Sequence, residues 1–412
     1  MALVFAFAAA PPAHAQSCGG DVNNDGFVDA TDLSVLLSGW GACPVSAPTI
    51  SQVTPNTGPK SGGTVISIIG TNLNRATGVT VGGVAAAILA AHPTVIVATT
   101  PASATDGAKT LAVTTPGGTA TAVNAFTYVS VATPAWATLI EAAPDPAVVT
   151  NAALRTAIVA TGWAWRVRDN ASQIEMLLVP PGMFNMGCSM SNAWACSPAE
   201  NPVHAVTLTN AFYMGRYEVT QAQWAARMGS NPSSFQSASA QVPAAQVLSR
   251  PVETVSWNTV QGFLSSTGLR LPTEAEWEYA YRAGTPTAFH SMPGFPSGTN
   301  DDTQVGNIAW WGSCCGGNSA SQTRPVGGKA ANSLGLHDMS GNVWEWVNDW
   351  YSSTYYGSSP STNPAGPATG TNRVLRGDSW SGSTLGARSS YRFSGVPVFT
   401  VNNVGFRVAR AP

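Results

Sequence analysis

The clearest chemistry that spacing spells in this 412-residue chain is a ring of oxygens near its start. Asp21, Asn23, Asp25, Asp29 and Asp32 take positions one, three, five, nine and twelve of a twelve-residue run, with Gly26 sixth and the Phe27 carbonyl seventh. Calcium is a hard cation that takes about six to eight oxygens, and a glycine at the sixth position permits the sharp turn that wraps them round one point. The run therefore predicts a calcium site, with residues 32–37 as the helix that leaves it. The alternative is an Asp- and Asn-rich turn that holds no metal.

Few other side chains are spaced for catalysis. His14, His92, His204, His290 and His337 lie far apart and form no His-x-x-x-His pair. No Gly-x-Ser-x-Gly elbow is present to expose a serine nucleophile. Six cysteines pair by proximity as Cys18 with Cys43, Cys188 with Cys196, and the adjacent Cys314-Cys315, which either closes as a strained ring or stays reduced. Spacing alone does not fix that connectivity. No complete catalytic constellation is visible.

Charged residues make up 10% of the chain, the net charge is −2, and lysine occurs only at Lys60, Lys109 and Lys329. Phosphate binding depends on clustered Lys and Arg, so this balance argues against nucleic acid or anionic lipid as a partner. With 41 Gly, 29 Pro and 14 Trp, the composition indicates a turn-rich protein whose core is aromatic rather than built on long helices. Residues 1–15 read as an export signal, although no basic segment precedes the apolar run. Residues 3–10 are apolar but too short to span a bilayer, and Ala13-His14-Ala15 supplies a small-x-small cleavage pattern before Gln16. The alternative is a buried N-terminal strand. No later stretch reaches membrane-spanning length, and disulfides persist only where thiols are not kept reduced. The mature protein is expected to be secreted, at the cell surface, or periplasmic.

The elements that must position any site follow from composition shifts. Residues 16–46 hold the calcium loop. From 47 to 130, Val, Ile, Thr, Ala and Gly alternate in short runs, and 65–70, 96–99 and 111–114 read as strands of a β-sandwich. Residues 131–172 form a connector in which Pro144 and Pro146 separate 136–143 from 147–159, each expected to be a short helix. From 173 to 412, Thr220-x-x-Gln223 and Thr273-x-x-Glu276 are capping boxes that mark helix starts, and Ser256 is a further cap at the end of an expected strand over 251–257.

Three resemblances rest on quoted residues. The loop at 21–32, with Asp32 where an EF-hand has Glu, resembles one dockerin repeat, which implies a cell-surface or scaffold partner; dockerins normally carry two repeats. Ile50-Ser51-Gln52-Val53-Thr54-Pro55, Gly58, Gly62-Gly63-Thr64 and Gly70-Thr71-Asn72-Leu73 resemble an IPT/TIG domain, an immunoglobulin-like module. With so few basic residues, this module is expected to be a spacer or adhesion unit rather than a DNA binder. Arg270-Leu271-Pro272-Thr273-Glu274-Ala275-Glu276-Trp277-Glu278, Gly341-Asn342-Val343-Trp344-Glu345-Trp346 and Arg376-Gly377-Asp378-Ser379-Trp380 resemble the formylglycine-generating enzyme family, the sulfatase-modifying factors. This last resemblance covers somewhat more than half of the chain. It implies an irregular, C-type-lectin-like α+β fold with opening strands within 174–187 and 213–220.

In that family's oxidases, two cysteines after an Arg-Gly-Gly-Ser stretch bind copper and convert a substrate cysteine to formylglycine. Ungapped matching puts Gly382 and Ala387 at those positions, and no cysteine follows Cys315. Copper(I) needs soft thiolates, so copper is not expected, although Ser379 is retained. Asp378 in place of the second glycine adds a carboxylate. The resemblance assigns calcium to Asp338 and Glu345 through side chains and to Gly341 and Val343 through carbonyls. Less closely, it assigns a second calcium to Asn307, the Ile308 carbonyl, Asn318 and the Ala320 carbonyl. In both sets the alternative is loop capping and backbone hydrogen bonding.

Variable proteins of diversity-generating retroelements bind ligands with the C-terminal stretch of this fold. Here 377–403 is rich in Ser, Gly, Arg and aromatics, and Asp378, Ser379, Trp380, Tyr391 and Phe399 are the expected ligand-binding residues. Trp344 and Trp346 are expected in the core, Tyr355 and Tyr356 at the surface, and Arg376, Arg388 and Arg407 in internal salt bridges. The expectation is a secreted, calcium-binding modular protein whose last domain binds an extracellular peptide, protein or glycan. Its rivals are formylglycine generation in sulfatases and another oxidative tailoring reaction on the same fold.

Overall fold

The computed structural model describes residues 30–38, 46–312 and 316–412. The export segment at 1–15, the loop oxygens from Asp21 to Asp29, and Cys18, Cys43, Cys314 and Cys315 lie outside the described residues. Helix α1 (Ala30–Ser38) covers the stretch expected to follow the calcium loop.

Residues 46–130 fold as the expected sandwich. Its strands are β1 (Thr49–Thr54), β2 (Thr57–Pro59), β3 (Val65–Thr71), β4 (Gly78–Val81), β5 (Val84–Ala91), β6 (Val95–Thr99), β7 (Gly107–Thr115) and β8 (Gly118–Val129). They run in the order β1-β3-β6-β5-β4-β7-β8-β2. Alternate residues point inward, as a two-residue strand period requires. Ile66 and Ile68 of β3, Ile96 and Ala98 of β6, and Leu111 and Val113 of β7 meet Phe126 and Tyr128 of β8 in one core.

Only one of the two helices expected in the connector forms. Helix α2 (Ala152–Ala160) starts at Asn151, whose side-chain oxygen accepts from the Ala153 and Leu154 amides. Residues 136–143 instead contain strand β9 (Ala137–Glu141), antiparallel to β10 (Arg166–Asp169). A segment this short between prolines gains little from helix formation on its own. The open edge of β10 offers it a hydrogen-bond ladder, and Arg166 pairs with Glu141 at 2.8 Å.

The last domain is completed by β11 (Glu175–Val179), β12 (Gly182–Met186), β13 (His204–Leu208), β14 (Phe212–Gly215), α3 (Gln221–Met228), α4 (Trp257–Thr267) and α5 (Glu274–Arg282). These are followed by β15 (Ala309–Trp310), β16 (Ser340–Gly341), β17 (Trp344–Trp350), β18 (Arg373–Arg376), β19 (Phe393–Gly395), β20 (Val404–Phe406) and β21 (Ala409–Arg410). One sheet is ordered β21-β14-β11-β10-β9 and a second β19-β18-β17-β20, so the C-terminal strand and the connector close opposite edges of one sheet. Trp165, Trp277, Trp346, Tyr213, Phe263 and Phe406 belong to a single buried core between these elements.

Both expected capping boxes form, at Thr220 with Gln223 and at Thr273 with Glu276, and Ser256 caps α4. The strand expected over 251–257 does not form. Pro251 has no amide to donate and Thr254 takes φ +62°, so the Val252 and Thr254 amides reach separate acceptors, Val219 and Val401. Tyr356, expected at the surface, is buried with its ring centre 4.1 Å from the Arg392 guanidinium carbon, while Tyr355 is half-buried. A buried guanidinium draws an aromatic face inward when solvent cannot reach it. Among the described residues no helix is long and apolar enough to cross a membrane.

Because β9 and β10 are hydrogen-bonded into the sheet of the last domain, a chain begun at residue 173 loses two strands, including Val167, the sheet neighbour of Met176. A fragment of 131–412 is expected to unfold cooperatively in urea. A fragment of 173–412 is expected to lack a sharp transition; equal midpoints for the two would show that the connector strands are dispensable.

Candidate functional site

The loop from β18 to β19 has little ladder to hold it, and buried charge holds it instead. Arg376 donates to Glu278 at 2.5 Å and Arg282 to the same carboxylate at 2.7 Å. Arg388 grips Glu200 with two bonds of 2.9 Å, Arg392 grips Glu274 at 2.7 and 2.8 Å, and Arg407 reaches Glu345 at 2.6 Å. None of these side chains is more than 4% exposed. The expectation of internal pairing for Arg376, Arg388 and Arg407 holds. Burial alone would raise the Glu200 and Glu274 carboxyls, but Arg388 and Arg392 hold both below the usual range. The Thr273 capping box fixes the start of α5, and the four-residue spacing of Glu274, Glu278 and Arg282 then aims one helix face at the loop.

Cys188 and Cys196 form the expected disulfide. The loop they close carries Trp194, whose indole donates to the Thr384 hydroxyl at 2.8 Å.

These anchors leave a groove of about 560 Å³ lined by Asp378, Trp380, Gly382, Tyr391, Phe399 and Asn403, among others. Four of the five residues expected to bind a ligand thus share one cavity. Ser379 is fully buried beneath it, its hydroxyl 3.1 Å from that of Ser381. Trp344 and Phe393 also line the cavity. Trp344, expected in the core, is nearly fully buried in it, and its remaining face completes the aromatic wall. Trp346 is buried, with its indole donating to Val255.

The carboxyl of Asp378 lies at the floor. Its two oxygens accept from the Ser379 amide at 2.7 Å and the Ser383 amide at 3.1 Å, and burial pushes it up to about 7. A Cβ placed on Gly382 would lie 1.8 Å from one Asp378 oxygen, and a Cβ on Gly386 would lie 2.2 Å from the other. The carboxyl therefore fills the space that a side chain at 382 would use. Ala387 faces elsewhere, buried in a small cluster with Phe289, Met292 and Ile308.

The residues assigned to calcium fall on the turn into β17. Asp338 and Asn342 take φ of 55° and 60°, and Gly341 takes 76°. One Asp338 oxygen accepts from the Gly327 amide at 2.6 Å; the other is buried without a partner. Burial pushes this carboxyl up to about 6. Glu345, by contrast, is occupied: both oxygens accept from Arg407, and one accepts the Trp277 indole at 2.7 Å. Glu218, which the sequence reading missed, lies in the same field and accepts from Asn342 and the Val343 amide. Burial and the charges of Asp338 and Glu345 raise it well above the usual carboxylate range. Three carboxyls thus share the Arg407 guanidinium, with the Lys329 ammonium also acting on Asp338, and the remaining excess of carboxyls fits a cation there. Among the described residues no three His, Cys, Asp or Glu side chains are grouped as a ready-made metal site.

The second assigned set is committed to other bonds. Asn318 accepts from Trp311 and donates to the Gly306 and Ala309 carbonyls. Asn307 donates to Gln304, Ile308 is buried in the small apolar cluster, and Ala320 sits at φ +54°. The ammonium of Lys329, bonded to the Gly306 carbonyl, adds positive charge there. The bonds of the two asparagine side chains are those of the loop-capping alternative.

Residues 161–412 match a family model described as the sulfatase-modifying factor enzyme 1-like domain, and residues 48–128 match the IPT/TIG domain. The first match begins at 161, upstream of the expected boundary at 173. The chain is 32% identical over 323 residues to the formylglycine-generating enzyme of Streptomyces coelicolor, covering 65% of this chain and 95% of that protein. It is 29% identical over 286 residues to the formylglycine-generating enzyme of Bos taurus, covering 57% and 74%. It is 30% identical over 254 residues to the serine/threonine-protein kinase pkn1 of Chlamydia caviae, covering 57% of this chain and 38% of that protein. Among solved structures, Treponema denticola variable protein 1 matches with a TM-score of 0.49 at 31% identity, covering 58% and 95% of the two chains. PvdO from Pseudomonas aeruginosa gives 0.48 at 29% identity, covering 60% and 98%.

Removing one partner of a buried pair leaves the other charge uncompensated. Glu200→Ala is expected to cost ~3–5 kcal/mol of unfolding free energy in urea. Glu200→Ala with Arg388→Ala should cost less than the sum of the two single changes. Additive losses would mean that the pair does not act as a unit.

Proposed function

Through residues 161–412 the chain belongs to the sulfatase-modifying factor enzyme 1-like family, and on that premise we propose that its last domain binds an extracellular peptide, protein or glycan and does not generate formylglycine. The observation that carries this reading is the pair Gly382 and Ala387. Gly382 has no side chain, and the Asp378 carboxyl fills the space beside it; Ala387 is turned into an apolar cluster. Neither position offers sulfur, and copper(I) chemistry needs thiolate ligands. What the groove offers is aromatic surface, small polar groups and a floor fixed by buried ion pairs. Rigid aromatic anchors beside adaptable Ser and Asn groups are the composition of binding surfaces.

Calcium belongs to the same proposal. Asp338, with the carbonyls of Gly341 and Val343, would hold it, supported by the unpartnered Asp338 oxygen. Its contribution there would be structural: neutralising buried carboxyls and fixing the turn into β17. Glu345 supports this set through Arg407. The run from Asp21 to Asp32 is a second calcium proposal, with a cell-surface or scaffold partner and secretion after cleavage near residue 15.

Two experiments test the reading. A Cys-x-Pro-x-Arg peptide incubated aerobically with the full chain and copper(I) is expected to show no conversion by mass spectrometry, with a cysteine-paired relative as the active control; conversion would overturn the binding reading. Calcium at about 100 times its dissociation constant is expected to add ~2.7 kcal/mol to the stability of the last domain. Asp338→Asn should remove that increment, and an unchanged calcium response in the variant would discard Asp338 as a ligand.

A further inference from the structure

The groove holds one charged lining residue, Asp378. It is 3% exposed, and among the described residues it has no ion-pair partner, whereas Glu200, Glu274, Glu278 and Glu345 each have an arginine. The carboxyl accepts the Ser379 and Ser383 amides and a bond from the Ser379 hydroxyl, which leaves part of the acceptor capacity of its two oxygens unused. Shaping the turn alone does not require a charge, because Asn or Ser can accept the same bonds. Gly382 and Gly386 flank the carboxyl and line the groove themselves, so no side chain at either position covers it.

Above this floor stand the rings of Trp344, Trp380, Tyr391 and Phe399. The face of an aromatic ring attracts a cation, most strongly when both are shielded from water. A buried carboxyl without a countercharge is costly unless a partner supplies one. We propose that the groove is a receptor for a primary alkylammonium group, such as the lysine side chain of a peptide or protein, seated between the Asp378 carboxyl and the aromatic wall. This assignment rests on the binding reading above and names its ligand chemistry.

Tyr391 is the titratable group that faces Asp378; Arg388 and Glu200 act on Tyr391 with opposite signs. Because burial pushes Asp378 up to about 7, its ionised fraction falls as pH drops below that value. Cation binding should therefore be strongest above pH about 7 and weaken by about tenfold or more by pH about 5.5. A neutral ligand should show no such slope.

The test is calorimetric titration of the full chain at pH about 8 with N-acetyl-Gly-Lys-Gly-amide, its acetyllysine counterpart and n-butylammonium. The lysyl peptide is expected to bind at least about tenfold more tightly than the acetylated one, and Asp378→Asn to abolish that preference. Comparable binding of butylammonium would assign recognition to the ammonium alone, and weaker binding would assign part of it to the peptide chain; either supports the proposal. Equal affinity for the two peptides, a preference unchanged in Asp378→Asn, or no binding of either cation overturns it. The pH series on the unaltered chain decides the matter even where the variant fails to fold, since a flat profile is also fatal. Equal peptide affinities without conversion of the cysteine peptide would remove only the ammonium assignment, whereas conversion would remove the binding reading itself.

Discussion

The last domain depends on arginine side chains that reach out of residues 376–407 into carboxylates supplied from elsewhere in the fold. Arg376, Arg388, Arg392 and Arg407 are all buried, and their partners Glu200, Glu274, Glu278 and Glu345 come from a short turn, a helix and a central strand. A chain with 10% charged residues has placed much of its charge inside. Buried pairs of this kind contribute less net stability than their contact energies imply, because both ions must first be desolvated. What they contribute here is position. The stretch 377–392 lacks strands that could lock it in register; guanidinium bonds hold its Leu385, Ser389 and Tyr391 carbonyls, and Arg388 and Arg392 tie it to the Ser189 and Ala199 carbonyls. Its groove-facing side chains can then differ from those of relatives without loosening the frame.

Asp378 and Gly382 make sense only as a pair. A side chain at 382 and a carboxylate at 378 would claim the same volume, as the 1.8 Å approach of a hypothetical Cβ shows. On the proposed reading, an aspartate where the resemblance implies glycine and a glycine where it implies cysteine put a hard, ionisable group at nearly the place of a soft, redox-active one. On the same reading, the floor of the groove has no thiolate for copper(I) and carries instead a carboxyl that burial pushes up to about 7.

Much of this was legible in the sequence because it is local. The capping boxes at Thr220 and Thr273, the alternation of 65–70 and 111–114, and the eight-residue spacing of Cys188 and Cys196 each specify structure within a few residues, and each is found. Pro251 and the positive φ of Thr254 decide locally against a strand over 251–257, but elsewhere the outcome depends on a distant partner. Residues 137–141 become a strand because β10 presents a free edge with Arg166. Tyr356 is buried because Arg392 is. Glu345 is occupied because Arg407 arrives from 62 residues away, and Glu218 joins Asp338 from another part of the chain. Periodicity reports which face of an element is apolar, but not which charged group will meet it.

The acid cluster and the groove are parts of one construction. The Gly341 amide bonds to the Gly377 carbonyl, and the Trp380 amide bonds to the Asn342 carbonyl, each at 2.8 Å. The Asn342 side chain in turn ends on Glu218 and on the backbone of Arg324. The turn that carries Asp338, Gly341 and Asn342 is therefore also the underside of the groove. Two of its non-glycine residues hold positive φ, a conformation that costs on the order of 1–3 kcal/mol each and persists only where surrounding bonds fix it. Whatever neutralises Asp338 steadies that turn, and through the Gly341 and Asn342 bonds it also steadies the floor on which Asp378 and Trp380 are set. On the proposed reading, a cation at Asp338 and a ligand in the groove would share this single stretch of backbone.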